Sequence, residues 1–354
     1  MTLSLSPLQL PSGLSRRHFT QALLGGALGV SLAMAQTPTD LPKLTLLLND
    51  SSALTHLPVL LAEQLGFFKA EGLTVDILDQ ASTAVTLELF ASDGVQAWSA
   101  PYDQVLVMPR KSLIGLSIMQ TGRTPQLALG VSRKSMPSFK RIPELSGRRV
   151  GVMELDSHAR RCVDYAMVLA GDSPASVQYL AVGSASHAIT ALRNGALDAL
   201  CMQDPLMTLL EKKGDIDIVR NFRAAKETQR LFAGPMPGNS LIVSQTMLSN
   251  HPQVCQALVS GVSRSLKWLR TAGPSDLLRN MTDNPILIDR AIYLNAVDNM
   301  RESYAMDGVM STEAAQTALR LRDVLEPQYK ALRKDMGPTY TNEFALKAKK
   351  RFAV

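Results

Sequence analysis

The chain predicts an α/β protein of two lobes, each a mixed, mostly parallel sheet flanked by helices, the lobes joined by a two-strand hinge. Three observations carry this. Short apolar strands alternate with helical segments from residue 42 to about 220, the order that builds parallel sheets. The series pauses once, at the polar, Pro-bearing stretch from Arg133 to Pro143, and then starts again. A last strand, Ser240 to Val243, follows the turn Gly234-Pro235-Met236-Pro237-Gly238 and reads as a return to the first lobe. Two connections between lobes make a hinge, with a cleft between them.

Ahead of this pattern stands a leader. Ser15-Arg16-Arg17-His18-Phe19-Thr20 is basic, Ala22 to Ala33 is apolar, and Ala33-Met34-Ala35 has small residues at a cleavage site, the three parts of an export signal. The adjacent arginines, Phe19 and the glycines Gly25, Gly26 and Gly29 fit the twin-arginine form, which passes folded proteins to its translocase. The apolar middle, about a dozen residues, is too short to span a bilayer, which takes about 20. The expected product is a periplasmic protein cleaved near Ala35, with the twin-arginine translocase as its partner during export.

The first lobe is expected over residues 42–130 and again over 240–354, the second over 131–239. In order, the pattern gives strand Leu44–Leu48, helix Leu57–Leu65 closed by Gly66, strand Leu73–Leu78, helix Thr83–Phe90 behind the cap Ser82, strand Val95–Trp98, helix Tyr102–Lys111 and strand Ile114–Gln120. The second series gives strand Arg149–Met153, helix Ser157–Ala170, strand Val177–Val182, helix Ser184–Asn194, strand Leu197–Met202, helix Pro205–Lys213 and strand Ile216–Val219. Glycines at 171, 195 and 214 end its helices, where a left-handed residue is favoured. Beyond Thr246 the pattern is helical, over about Pro252–Ala272, Pro274–Met281, Pro285–Tyr304 and Thr312–Lys334.

Composition excludes several functions. The net charge of +6, of which Arg16 and Arg17 supply two, is too small to suggest a nucleic-acid binder. Cys162, Cys201 and Cys255 are scattered, without CxxC spacing, and leave either one disulfide or three buried thiols. Five histidines, one in the leader, do not suggest a multi-histidine metal site. No HExxH, GxSxG, P-loop or GxGxxG occurs, so no cofactor and no catalysis are expected.

The run Leu57-Pro58-Val59-Leu60-Leu61-Ala62-Glu63-Gln64-Leu65-Gly66-Phe67-Phe68-Lys69-Ala70-Glu71-Gly72-Leu73 resembles the opening signature of ABC-importer solute-binding proteins of the nitrate, sulfonate, taurine and thiamine-precursor family. Gly151-Val152, the run Ala191 to Ala199, Asp204-Pro205, Leu266-Lys267-Trp268-Leu269 and Tyr340 to Phe344 fall where that family has comparable residues. The resemblance covers nearly all of the chain after Leu41. It implies the type II periplasmic binding protein fold, a small-molecule solute as ligand and an inner-membrane ABC permease as partner. Two other roles share the fold: a periplasmic sensor for a signalling partner, and synthesis of the thiamine pyrimidine, whose cysteine-rich iron motif this chain lacks. Physical reasoning makes the signature structural, with Gly66 and Gly72 turning the chain and Phe67 and Phe68 plugging a helix onto the sheet.

Ligand contacts are expected in loops at the carboxyl ends of strands, where helix N-termini present unpaired N–H groups. The loop from Asn49 to His56 offers Ser51, Ser52 and His56. The next offers Tyr102 and Asp103 beside Trp98, itself either core or contact. Arg123, near the hinge, either pairs an anion or is a solvated charge. In the second lobe Ser157 and His158 open a helix, Gln203 and Asp204 end a strand, and Asn239 lies where the chain crosses back. Relatives have glycine and small hydroxyl residues at the loop Glu154–His158, whereas here Asp156 offers a carboxylate to cap the helix and disfavour a second anion. Asp50, Asp103, Asp156 and Asp204 outnumber Arg123 and two histidines, a balance that favours an amine, amidine or zwitterion over a bare anion.

Overall fold

The computed structural model describes residues 42–80, 82–108, 115–280, 289–329 and 338–353. The leader over residues 1–35 lies outside them, as do residue 114, the ends of the helices expected to reach Lys111, Met281 and Lys334, and the start of the one expected at Pro285.

The first sheet is built from β1 (Lys43–Leu48), β2 (Thr74–Asp79), β3 (Ala97–Pro101) and β4 (Gly115–Gln120), with a strand from much later in the chain inserted between the last two. Between β1 and β3 lie α1 (Leu57–Gln64), α2 (Phe67–Ala70) and α3 (Thr83–Ala91). The second sheet contains β5 (Ala128–Ser132), β6 (Arg149–Val152), β7 (Gln178–Ala181), β8 (Ala199–Met202) and β9 (Ile216–Asn221), with α4 (His158–Leu169), α5 (Ala185–Arg193), α6 (Leu206–Lys212) and α7 (Ala225–Phe232) around it. Then β10 (Asn239–Ser244) returns to the first sheet, followed by α8 (Gln245–Asn250), α9 (Pro252–Thr271), α10 (Pro274–Arg279), α11 (Arg290–Arg301), α12 (Thr312–Leu325) and α13 (Glu343–Phe352).

The two sheets have the same plan. Their orders are β2-β1-β3-β10-β4 and β7-β6-β8-β5-β9. In the first, β1 runs parallel to β2 and β3 while β10 runs antiparallel to both neighbours. In the second, β6 is parallel to β7 and β8, and β5 is antiparallel to β8 and β9. Each sheet thus receives one antiparallel strand immediately after the chain crosses from the other lobe.

Strand periodicity distributes the core. Leu44, Leu46 and Leu48 of β1 face the larger core with α1, α9 and α11, whereas Leu47 faces the opposite layer with Phe90 and Trp98. In β8, Ala199 and Cys201 join one second-lobe core and Leu200 and Met202 the other. Both faces of each sheet are covered, which is why the strands read as continuous apolar runs. The signature glycines and aromatics are structural as expected: Gly66 and Gly72 have φ of 68° and 73°, and Phe68, wholly buried, lies so close to Gly261 of α9 that a Cβ there would meet its ring at 2.4 Å.

Three expectations change. The division at residue 130/131 falls inside β5, which belongs wholly to the second sheet, so the crossing is upstream, near residues 121–127. Its apolar pattern announces a strand, and only pairing with β8 and β9 assigns the sheet. The C-terminal part is not all first lobe: Met310, Ala314, Ala318 and Leu321 pack into the second-lobe core with Cys162 and Tyr165. The helix expected from Tyr102 begins instead as a 3₁₀ turn over Tyr102–Gln104. The cysteines are three buried free thiols. Among the described residues no helix is long and apolar enough to cross a membrane.

Candidate functional site

The carboxyl ends of β1 and β3 and the start of β10 face those of β6 and β8 across a cleft. From the first lobe Asn49, Asp50, Thr55, His56, Thr83, Trp98, Ser99, Pro101, Gln104 and Asn239 line it, and from the second Met153, Glu154, Asp156, Ser157, His158, Ala159 and Gln203. The space between these walls is about 70 Å³, room for on the order of five waters at about 10–15 Å³ each. Contacts across the mouth hold it shut: the Thr83 N–H donates to Glu154 Oε1 (3.1 Å), the Leu54 N–H to the Asp204 carbonyl (2.8 Å), and Asn299 Nδ2 to Thr208 Oγ1 (2.8 Å).

On the first-lobe wall a buried polar chain fixes His56 and Trp98. Trp98 Nε1–H donates to Asn49 Oδ1 at 2.7 Å, and Asn49 Nδ2 donates to the Gln80 carbonyl and Thr86 Oγ1. Burial lowers the His56 pKa against the opposing pull of the Asn49 carbonyl, Asp50 and Asp79, so the ring is neutral at pH 7. Nε2–H then donates to the Asn49 carbonyl (3.0 Å), leaving Nδ1 to accept from Ser99 Oγ–H (3.0 Å) or Asn239 Nδ2–H (3.3 Å). Asp50, at φ 69°, accepts from the Ser52 N–H and hydroxyl. The N–H groups of Asp50 and Ser51 both donate to Asp79 (3.1 and 2.8 Å).

The second-lobe wall is the start of α4. Ser157 caps it, its Oγ accepting from the Arg160 N–H, so the cap expected of Asp156 is made by its neighbour. Asp103 Oδ2 accepts from His158 Nδ1 (3.0 Å) and Arg161 Nε (2.7 Å), and Arg161 Nη1 donates to Asp156 Oδ1 (2.6 Å). Burial alone would push the Asp103 pKa up, but Arg161, His158 and Arg322 outweigh it and hold the carboxyl well below its ordinary value. Burial likewise pulls His158 down, and the Cys162 sulfur and Asp103 overcome it, raising the imidazole to about 10. Because burial also pushes the Cys162 thiol up, Asp103 is the charge that keeps His158 protonated at pH 7. His158 Nε2 lies 3.8 Å from Cys162 Sγ, giving the order carboxylate, imidazole, thiol found in nucleophilic sites. Cys162 is wholly buried with a protonated thiol, and is no nucleophile.

Of the eleven residues expected at the site, His56, Ser157, His158, Gln203 and Asn239 line the cleft. The others do not. Tyr102 points into the second-lobe core with its hydroxyl against Thr339, and Asp103 is held by His158 and Arg161. Arg123 turns outward, its Nε–H donating to the Glu302 carbonyl at 2.6 Å. Asp204 is buried, accepting from Arg223 Nη1 (2.7 Å) and the Thr208 N–H (2.9 Å). Ser51 and Ser52 belong to the turn beside the mouth. Sequence reasoning missed Thr55, Thr83, Ser99, Gln104 and Glu154. Gln104 sits two residues beyond Tyr102, and a 3₁₀ turn in place of a helix rotates it inward. Among the described residues no group of three or more His, Cys, Asp or Glu is placed to hold a metal.

Two lobes of matching α/β topology, with a polar cleft at the carboxyl ends of their strands, define a periplasmic binding protein fold, the fold of ABC-importer solute-binding components. Residues 53–273 match the family described as NMT1/THI5 like, and the chain belongs to that family. A solved structure from Bordetella bronchiseptica RB50 is similar at 29% identity, covering 88% of this chain and 98% of that one with a TM-score of 0.80. The MOPS-bound alkanesulfonate-binding protein SsuA of Xanthomonas axonopodis pv. citri shares the fold at 15% identity, over 86% and 99% of the two chains (TM-score 0.65). So does the periplasmic nitrate-binding protein NrtA of Synechocystis PCC 6803, at 10% identity over 88% and 89% (TM-score 0.66). No curated protein matches the chain.

Proposed function

We propose that the mature protein is the extracytoplasmic solute-binding component of an ABC importer, capturing one small polar organic solute between its lobes and delivering it to the permease. The observation that carries this is the cleft itself, a space of about 70 Å³ lined by polar side chains of both lobes, so that a ligand within it contacts both and stabilises closure. The chemical classes suggested by the resemblance are taurine or an alkylsulfonate, nitrate, and an aminopyrimidine. Catalysis is no part of the reading: Cys162, beside His158, is wholly buried. Export by the twin-arginine route and cleavage near Ala35 complete it.

Native mass spectrometry of protein purified without refolding, followed by thermal shift against those classes, tests the reading. A bound solute at 100 times its Kd stabilises by about 2.7 kcal/mol. Turnover of a solute without stabilisation by any would sink it. Recovery of a permease in a detergent pull-down is expected, whereas a sensor kinase recovered alone would transfer the role to signalling.

A further inference from the structure

Several donors around the cleft are already occupied by a carboxylate of the chain. His158 and Arg161, in the first turn of α4, hold Asp103. The α6 start gives its Thr208 N–H to Asp204, the α3 start gives its Thr83 N–H to Glu154, and the turn after β1 gives the Asp50 and Ser51 N–H groups to Asp79. An oxyanion is bound by unpaired N–H groups or by cations; the cations here are already paired with carboxylates, which leaves only neutral donors, such as the His158 and Ala159 N–H groups at the α4 start, that have no acceptor among the described residues.

The charges left over have the opposite sign. Asp103 and Asp156 balance His158 and Arg161 within one cluster. Asp50 and Glu154 line the cleft from opposite lobes; among the described residues no Lys or Arg lines it, His158 there is paired with Asp103, and neither Asp50 nor Glu154 has a cationic partner. Gln104 and Thr55, only 6% and 4% exposed, line the same space with side chains that have no hydrogen-bond partner among the described residues. Their polar atoms open onto that space and can bond what fills it.

We propose that the cleft selects a small solute of net positive charge, an ammonium or amidinium group neutralising Asp50 and Glu154 while Gln104 and Thr55 bind its polar remainder. The assignment rests on the solute-binding reading above and narrows it: a bare oxyanion, or a sulfonate carrying a compensating amine, would meet only neutral donors and have two carboxylates beside its negative end. Closure also depends on Glu154, so a cation that binds Glu154 couples occupancy to the contact with Thr83.

Thermal shift and calorimetry at fixed ionic strength would compare ethylammonium, acetamidinium and 4-aminopyrimidinium with nitrate, ethanesulfonate and taurine, beside native mass spectrometry of the purified protein. The cations are expected to stabilise, the anionic set and taurine not, and any co-purified solute to be cationic. The double variant Asp50→Asn, Glu154→Gln keeps shape and one acceptor oxygen at each position, and should weaken cation binding at least about tenfold while the unliganded melting temperature holds. Stabilisation by nitrate, ethanesulfonate or taurine, unchanged cation affinity in the double variant, or a neutral or anionic co-purified solute would overturn the charge assignment and leave solute binding standing. Failure of every probe, with no solute recovered, would count against solute binding itself.

Discussion

Asp103 accepts two charged hydrogen bonds on one oxygen, and its other oxygen and Arg161 Nη2 are buried without partners. Removing its charge strips the buried His158 of its counter-ion and leaves Arg161 only the exposed Asp156, so Asp103→Asn should destabilise the protein by about 3–5 kcal/mol, read from urea unfolding at pH 7. The same contact gives stability a pH dependence. The unfolded imidazole titrates near 6.5 and the folded one near 10, so the folded state holds the extra proton between those values. The His158 contribution is fully present below pH 6.5 and is lost as pH rises through about 10. Unfolding midpoints should fall across that window, and His158→Gln should flatten the fall. A variant that keeps the full alkaline slope would show that another group titrates. The acid side has the opposite sign: Asp103, held low, stabilises above its ordinary carboxyl range, and this is lost as pH falls through its depressed pKa.

The connection between lobes is set by close backbone approach. A Cβ on Gly238 would meet the Thr124 carbonyl oxygen at 2.0 Å, and the Gly238 N–H donates to the Gly122 carbonyl at 2.9 Å. The two crossing segments touch there, and neither can yield without parting the other's hydrogen bonds. Gly238→Ala should therefore cost about 1–3 kcal/mol, with Gly273→Ala, where the nearest atom is 3.7 Å away, as the near-neutral control in thermal unfolding. At this scale the sequence was readable where local rules suffice. Ser82, Ser157 and Ser184 cap α3, α4 and α5 through hydroxyls that accept from the N–H three residues on, and apolar runs marked the strands. Placement of β5 and α12 was not readable, because a strand's partner and the face a helix covers are decided by contacts distant in sequence. The same limit governs the site. His56 ends a 3₁₀ turn, His158 opens a helix and Asn239 opens a strand, and the position of each beside a strand end follows from the βα order. Asp103 and Asp204 satisfy that rule equally well, yet are claimed by Arg161 and Arg223, 58 and 19 residues away.

For the whole molecule, closure is an equilibrium that occupancy and interlobe contacts both bias. Of the contacts across the cleft, the hydrogen bond from Asn299 of α11 to Thr208 of α6 is made by side chains that do not line it, so its removal alters the balance of closed and open forms without changing what a solute touches. Such a bond contributes about 1 kcal/mol. If the open form dominates without ligand, Asn299→Ala should lower the closed population about fivefold, and apparent affinity falls by the same factor because only the closed form binds fully. Thr208 must lose nothing else in the exchange, and it retains Arg223 Nη1 at 3.4 Å. Calorimetry with the solute recovered from the protein would read the affinity, and small-angle scattering the mean separation of the lobes with and without it. The expected pair of results is weaker binding by about fivefold with an unchanged liganded radius of gyration. Weakened binding together with an expanded liganded form would show instead that α11 and α6 set the closed geometry itself. Unchanged affinity would mean that the protein rests closed before it is filled, with opening rather than closure as the step that admits the solute.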